Sequence, residues 1–168
     1  MREGRDERAR VRGAQRGSAS DLEALFRMHW PRAFRAAYLV THDAAAAEDI
    51  AQEAFLGAIR ALDRFDRRRP FGPWLHRIVV NRAIDWTRAR TLRSEVELTE
   101  SVPALEGPAQ GGDTLAALAR LSPEHRAVIV MRYLLEFTPG EIADELGLPR
   151  GTVNSRLRRG LDALGEEL

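Results

Sequence analysis

Residues 138–159 read TPGEIADELGLPRGTVNSRLRR, and the local rules in this stretch decide the class of the molecule. Thr138 suits a helix N-cap, Pro139 the first helical position, and Glu141 completes a Thr-x-x-Glu capping box. Ile142, Ala143 and Leu146 then share one face, Gly147 supplies a left-handed stop, and Leu148 packs between the helices. Pro149 restarts a helix in which Val153, Leu157, Leu161 and Leu164 share a narrow apolar stripe. Thr152, Ser155 and Arg159 lie opposite that stripe, flanked by Asn154, Arg156 and Arg158. With Arg150, this helix holds four arginines and no acid between Pro149 and Gly160. A capped helix, a glycine turn and a basic second helix place side chains in a DNA major groove. The helix N-terminus favours phosphate, while Asn, Ser and Arg reach base edges or backbone. The plainer alternative is a helical hairpin with a basic exposed face.

Outward from this segment, composition narrows the choice. The chain has 168 residues, 44% hydrophobic and 30% charged, enough for one medium domain or two small ones. All 26 basic residues are arginine, and the net charge of +1 hides strong asymmetry. Residues 60–90 carry nine Arg against three acids, and residues 91–113 one Arg against five acids. Such blocks point to separate contacts with nucleic acid and with basic protein surface. The absence of cysteine excludes disulfides and thiolate metal sites. No apolar run approaches ~18 residues, so no membrane insertion is expected. The first 17 residues hold six Arg and three acids without an apolar centre. They read as a disordered basic arm and not as a secretory signal, and a cytoplasmic location is expected.

The expected fold is all-α, two small helical domains joined by a flexible linker. Helical periodicity recurs from about Asp21 to Arg90 and from Thr114 onward, without β-type alternation. Residues 91–113, TLRSEVELTESVPALEGPAQGGD, hold Pro103, Pro108, Gly107, Gly111 and Gly112, a linker composition. The predicted organisation is an arm over 1–19, a first domain over 20–90, the linker, and a second domain over 114–168. In the first domain a helix runs from Asp21 to Val40, bent or divided at Pro31. A second spans Asp43 to Leu62, its broad apolar side made by Ile50, Ala51, Ala54, Phe55, Ala58, Ile59 and Leu62. Its other side holds Asp49, Gln52, Glu53, Arg60 and Asp63 around a lone Leu56. That face is either a dock for a basic partner or ordinary solvated surface.

A third helix begins near Pro73 and ends near Arg90, with Leu75, Ile78, Val79 and Trp86 toward the core. Trp74, Arg77, Asn81, Asp85 and Arg88 gather on another side, a set able to stack on or hydrogen-bond to an opened strand. Trp74 has core packing as its equal alternative. The preceding loop carries Arg67, Arg68 and Arg69, close enough to guide phosphates toward this helix.

Four segments together resemble a known family. AEDIAQEAFLGAIRALDRF (47–65), WLHRIVVNRAIDWTR (74–88), LSPEHRAVIVMRYL (121–134) and EIADELGLPRGTVNSRLRR (141–159) are similar to the extracytoplasmic-function sigma factors of the sigma-70 family. The similarity covers about residues 20–168. It implies a region-2-type domain that binds the polymerase clamp and the −10 element, and a region-4-type domain that binds the −35 element and the flap. Asp49, Gln52, Glu53 and Leu56 match the segment that docks on the clamp. Asp66–Phe71 matches the loop that captures a flipped −10 base, and Trp74, Arg77, Asn81, Asp85 and Arg88 the helix along the melted strand. Thr152, Asn154, Ser155, Arg158 and Arg159 match the −35 reading helix, which also holds Arg150 and Arg156. Asn154 departs from the Lys or Arg common there, the capture loop is short and arginine-rich, and the chain stops soon after the reading helix.

The partners implied are core RNA polymerase, promoter DNA and an anti-sigma factor, with no cofactor and no catalytic or metal residue. A free coil of the 23-residue linker spans roughly 25–30 Å, and two helical turns of DNA about 70 Å. Simultaneous reading of both elements therefore draws the linker out, and tethering multiplies two weak contacts. A helix-turn-helix regulator would instead bind a palindrome unaided, and an adaptor module has no need of a basic reading helix. His29, His42, His76 and His125 are scattered without metal-ligand spacing, and no nucleophile elbow or phosphate loop is present.

Overall fold

The computed structural model describes residues 2–97 and 113–167, and among these every regular element is helical. Helices α1 (Arg2–Gln15), α2 (Ala19–Thr41), α3 (Ala44–Ala61) and α4 (Phe71–Glu97) form the first half, and a 3₁₀ turn at Leu62–Arg64 follows α3. The second half comprises α5 (Asp113–Arg120), α6 (Pro123–Ile129), α7 (Pro139–Leu146) and α8 (Arg150–Glu167). Val130–Leu134 extends α6 as a π-helical turn.

Short polar side chains start these helices as capping chemistry requires. Ser18 accepts from the Asp21 N–H, Asp43 from Ala46 and Ser122 from His125. Helix α2 ends on His42 in the left-handed region at φ 52°, its N–H donating to the Tyr38 carbonyl. The two helical domains expected from the sequence are present. Helix α2 is the centre of the first, packed on α1, α3 and α4. Ala33, Ala36, Ala37, Ala47, Ala54 and Ala83 are almost wholly buried, so the helices meet at small side chains. In the second domain Val128, Met131, Ile142 and Val153 are fully buried between α6, α7 and α8. Each such side chain contributes about 1.5–3 kcal/mol on leaving water.

Several expectations are corrected. The first residues are not a disordered arm: α1 is a helix whose Val11 is only 2% exposed, held by polar contacts that its composition does not advertise. Helix α2 passes through Pro31 undivided. The lost hydrogen bond and ring clash cost about 3 kcal/mol; burial of Leu25, Ala33, Ala36 and Ala37 around the proline offsets that. Helix α4 begins two residues before Pro73 and continues through residues 91–97, which were assigned to the linker; the remainder of that linker, 98–112, lies outside the described residues. Ile59 and Leu161, both assigned to apolar stripes, are 40% and 41% exposed.

The halves pack on each other. The Arg32 guanidinium on α2 donates to the Leu134 carbonyl at 3.0 and 2.6 Å and sits 3.5 Å from Glu136. Arg77 on α4 pairs with Glu145 on α7 at 2.8 Å, and Arg88 with Glu124 on α6 at 4.0 Å. Buried residues of the two halves form one continuous cluster.

Candidate nucleic-acid and polymerase interface

The α7–turn–α8 unit has the geometry its sequence requires. Thr138 Oγ1 accepts from the Glu141 N–H at 3.3 Å, and Glu141 Oε2 accepts from the Thr138 N–H and hydroxyl at 2.7 Å each. These bonds, the hydroxyl's first, hold the Glu141 carboxyl below the usual range. Gly147 takes φ 62°, where a Cβ would be strained, and Leu148 N–H bonds back to the Ala143 carbonyl at 2.9 Å. Val153 and Leu157 anchor α8 in the core. Arg150, Asn154, Arg158 and Arg159 are exposed, and Thr152, Ser155 and Arg156 half-buried. Among the described residues, none of the four α8 arginines forms an ion pair. Arg156 turns toward the cleft between the halves.

On α3, Asp49, Gln52, Glu53 and Leu56 are all exposed on one face, Leu56 at 52%. The acids are not all free. Glu53 pairs with Arg82 of α4 at 2.8 Å, and Gln52 donates to Glu48 at 3.4 Å. Arg82 escaped the sequence reading because nothing local links it to α3. Phe26 and Ile59 are each 40% exposed and border a small apolar dimple of about 20 Å³ with Leu22, Phe55 and Leu62. Helix periodicity placed Ile59 on the apolar side of its helix, since it registers apolar character and not whether a partner covers it.

Asp66–Pro70 form the exposed α3–α4 loop between buried Phe65 and Phe71. The Arg68 N–H donates to Asp66 Oδ1 at 3.0 Å and the Arg69 N–H to the Asp66 carbonyl at 3.0 Å. This Asx-type turn sends Arg67, Arg68 and Arg69 into solvent. Trp74 is half-buried, 4.6 Å from the Phe65 ring and 5.6 Å from Phe71, so it belongs to an aromatic cluster while keeping one exposed part.

The rest of the α4 set faces the second domain. Asn81, Asp85 and Arg88 line a cleft of about 330 Å³ whose far wall includes Glu124, Glu145, Leu146 and Arg156. Arg77 and Arg88 make ion pairs across it. The structure therefore gathers Arg77, Asn81, Asp85 and Arg88 as the sequence predicts, but against α6 and α7.

Two histidines are tuned by packing. Burial, followed by repulsion from His29 and Arg32, pushes His76 down to about 3; burial, followed by Arg126, pushes His42 down to about 4. Among the described residues no group of three or more His, Cys, Asp or Glu side chains could hold a metal. No described helix is long and apolar enough to cross a membrane.

Two family models match: Sigma-70 region 2 over residues 25–93, and Sigma-70, region 4 over residues 112–164. The chain is 37% identical over 165 residues to ECF RNA polymerase sigma factor SigL of Mycobacterium tuberculosis, covering 93% of each. It is 30% identical over 177 residues to ECF RNA polymerase sigma factor SigW of Bacillus subtilis, covering 95% of each. Among solved structures, CnrH in complex with the cytosolic domain of CnrY superposes with a TM-score of 0.69 at 27% identity, covering 96% of each chain. The sigma factor RpoE of Bartonella quintana, in complex with the anti-sigma factor NepR, shares the fold at a TM-score of 0.71 and 24% identity, over 88% of this chain and 96% of that one. The region-2 half, the region-4 helix-turn-helix and relatives spanning nearly the whole length agree: this chain belongs to the extracytoplasmic-function sigma factors of the sigma-70 family, the promoter-recognising subunits of RNA polymerase.

Proposed function

We propose that three surfaces divide the work of this sigma factor. The α3 face of Asp49, Gln52, Glu53 and Leu56 docks on a basic surface of the polymerase clamp. Leu56 supplies apolar contact and the carboxylates steer the approach. The loop Asp66–Phe71 and the α4 set Trp74, Arg77, Asn81, Asp85 and Arg88 take the −10 strand. Unstacking a base costs a few kcal/mol, and capture in a protein pocket offsets part of it. Arg67, Arg68 and Arg69 neutralise phosphates around that pocket. Helix α8 reads the −35 element through Thr152, Asn154, Ser155, Arg158 and Arg159, with Arg150 and Arg156 on the backbone. The chain acts in the cytoplasm, needs no cofactor and performs no covalent chemistry.

The observation that supports this reading best is electrostatic. Helix α8 presents arginines without ion-pair partners among the described residues, while α3 of the same chain presents carboxylates around an exposed leucine. The α4 arginines are engaged by Glu124 and Glu145. Strand binding thus requires the halves to part and these carboxylates to give way to phosphates. A partner that stabilises the packed arrangement would act as an anti-sigma factor, a reading supported by the similarity to CnrH, solved with the cytosolic domain of CnrY.

Transcription in vitro with core polymerase tests the division. Leu56→Ala with Glu53→Arg should weaken association with core enzyme. Arg158→Ala with Arg159→Ala should spare that association and abolish dependence on the −35 sequence. Core association unchanged by the first pair, or lost with the second, would remove the assignment.

A further inference from the structure

Helix α1 touches both ends of the loop between α3 and α4. At the loop's entry, Gln15 Nε2 donates to the Leu62 carbonyl at 2.8 Å and the Phe65 carbonyl at 3.2 Å. At its exit, Glu7 Oε2 accepts from the Phe71 N–H at 3.3 Å and Glu7 Oε1 from the Gly72 N–H at 3.2 Å. Phe71 and Gly72 open α4, so their amides are donors that no helical carbonyl can satisfy. Glu7 therefore supplies a cap from a helix 64 residues away, and its charge suits the positive end of the α4 dipole.

The clasp is itself held in place. His29 Nε2 lies 2.9 Å from Glu7 Oε1, and the His29 ring packs on Phe71 at 5.4 Å. A Cβ at Gly72 would meet His29 Cε1 at 2.8 Å, so glycine lets α4 begin directly under the imidazole. Arg10 ties α1 to α2 through Asp21 at 3.0 Å, and Val11 is buried. Between the two grips only Asp66–Pro70 is continuously exposed.

We infer that α1 is an intramolecular clasp that sets the shape of the promoter-reading loop, with Glu7 and Gln15 as positioning residues for −10 base selection. The inference rests on the reading of Asp66–Phe71 as the base-capturing loop. Its physical basis is the geometry of a short loop: fixing both ends restricts the conformations of the residues between them. A pocket held in one shape discriminates between bases better than one that adapts to each. Neither residue reaches the DNA; both act through the loop backbone.

The test uses the full chain with core polymerase on promoters randomised across the −10 element, comparing wild type, Glu7→Ala, Gln15→Ala and the loop variant Asp66→Ala. Glu7→Ala and Gln15→Ala should lower the ratio of transcripts from the preferred to the next −10 base by roughly fivefold, the factor for one lost cap of about 1 kcal/mol. Core association and −35 preference should stay as in wild type. Hydrogen exchange on the full chain supplies the second readout. The Phe71 and Gly72 amides should exchange faster in Glu7→Ala, while those of Val79 and Val80 keep their protection.

If Asp66→Ala alters the −10 profile and the two α1 variants do not, the clasp is wrong and the loop reading stands. If all three leave the profile unchanged, the loop reading falls and the clasp with it. Unaltered exchange at Phe71 and Gly72 overturns the clasp whatever the transcripts show. An equal loss of core association, −35 preference and −10 preference reduces α1 to a structural strut and also overturns it.

Discussion

Replacing Glu124 and Glu145 together by alanine should open the molecule. Both carboxylates sit on the second domain and hold α4 arginines, at 4.0 Å for Arg88 and 2.8 Å for Arg77. The Arg77–Glu145 side chains are 40% and 24% exposed and the Arg88–Glu124 side chains 59% and 32%, so solvent screens both pairs. The shorter pair contributes about 0.5–1 kcal/mol and the longer about 0.2–0.5 kcal/mol. Loss of both, near 1 kcal/mol, corresponds to a roughly fivefold shift from packed to open. The Arg32–Leu134 bonds and the apolar contact survive, so the halves should separate more often without either unfolding.

The chain has no cysteine, so Ala45→Cys on α3 and Asp162→Cys on α8, both exposed, give unique dye sites for single-molecule energy transfer. At low salt the double variant should populate the low-efficiency state about fivefold more than wild type. Near 1 M salt, where the Debye length is about 3 Å, the two proteins should converge. Identical efficiency distributions at low salt would refute the idea that these ion pairs hold the reading surfaces together.

Other consequences are simpler to check. Stability should fall on acidification: His76 is lowered in the folded state to about 3 from 6.5, so between these values the unfolded chain binds the extra proton. The loss from His76 is about 1.4 kcal/mol per pH unit through that window; His42, lowered to about 4, adds a similar slope down to that value, and protonation of Glu7 and Glu141 adds to it below about 4.5. Urea denaturation from pH 7 to 4 reads it; His76→Leu should remove roughly half of the slope and leave the part due to His42, and a wild-type profile already flat would exclude the cause. Thr138→Ala should cost about 1 kcal/mol, and adding Glu141→Ala should cost less than the sum, because the two side chains cap reciprocally. Additive midpoint shifts would mean that the box is not coupled. In holoenzyme, Arg150→Ala with Arg156→Ala should reduce the salt slope of promoter binding by about 2, and an unchanged slope would remove both residues from the phosphate contacts.

What could be read in advance was local in the chain. The capping box of Thr138 and Glu141 and the left-handed Gly147 each depend on residues within one helical turn, so their chemistry is visible in the string. The division into two helical domains and the exposed face of Asp49, Gln52, Glu53 and Leu56 follow from periodicity. Trp74 had two readings, and the structure half-buries it among Phe65 and Phe71.

Contacts between distant segments were hidden. Helix α1 looked like a disordered arm because Val11 is its one deeply buried apolar side chain; Glu7 and Gln15 hold it to backbone groups that meet them only after α2, α3 and α4 have packed. Arg32 finds the Leu134 carbonyl 102 residues away, and no local rule joins them. Ile59 and Leu161 have the spacing of core residues, yet the described helices leave them 40% and 41% exposed. Turn chemistry and side-chain periodicity are properties of neighbouring residues, and they settled which helices exist and which faces are basic or acidic. Which of those faces meet, and whether a charged side chain ends on a carboxylate or in water, depended on how the eight described helices share one interior.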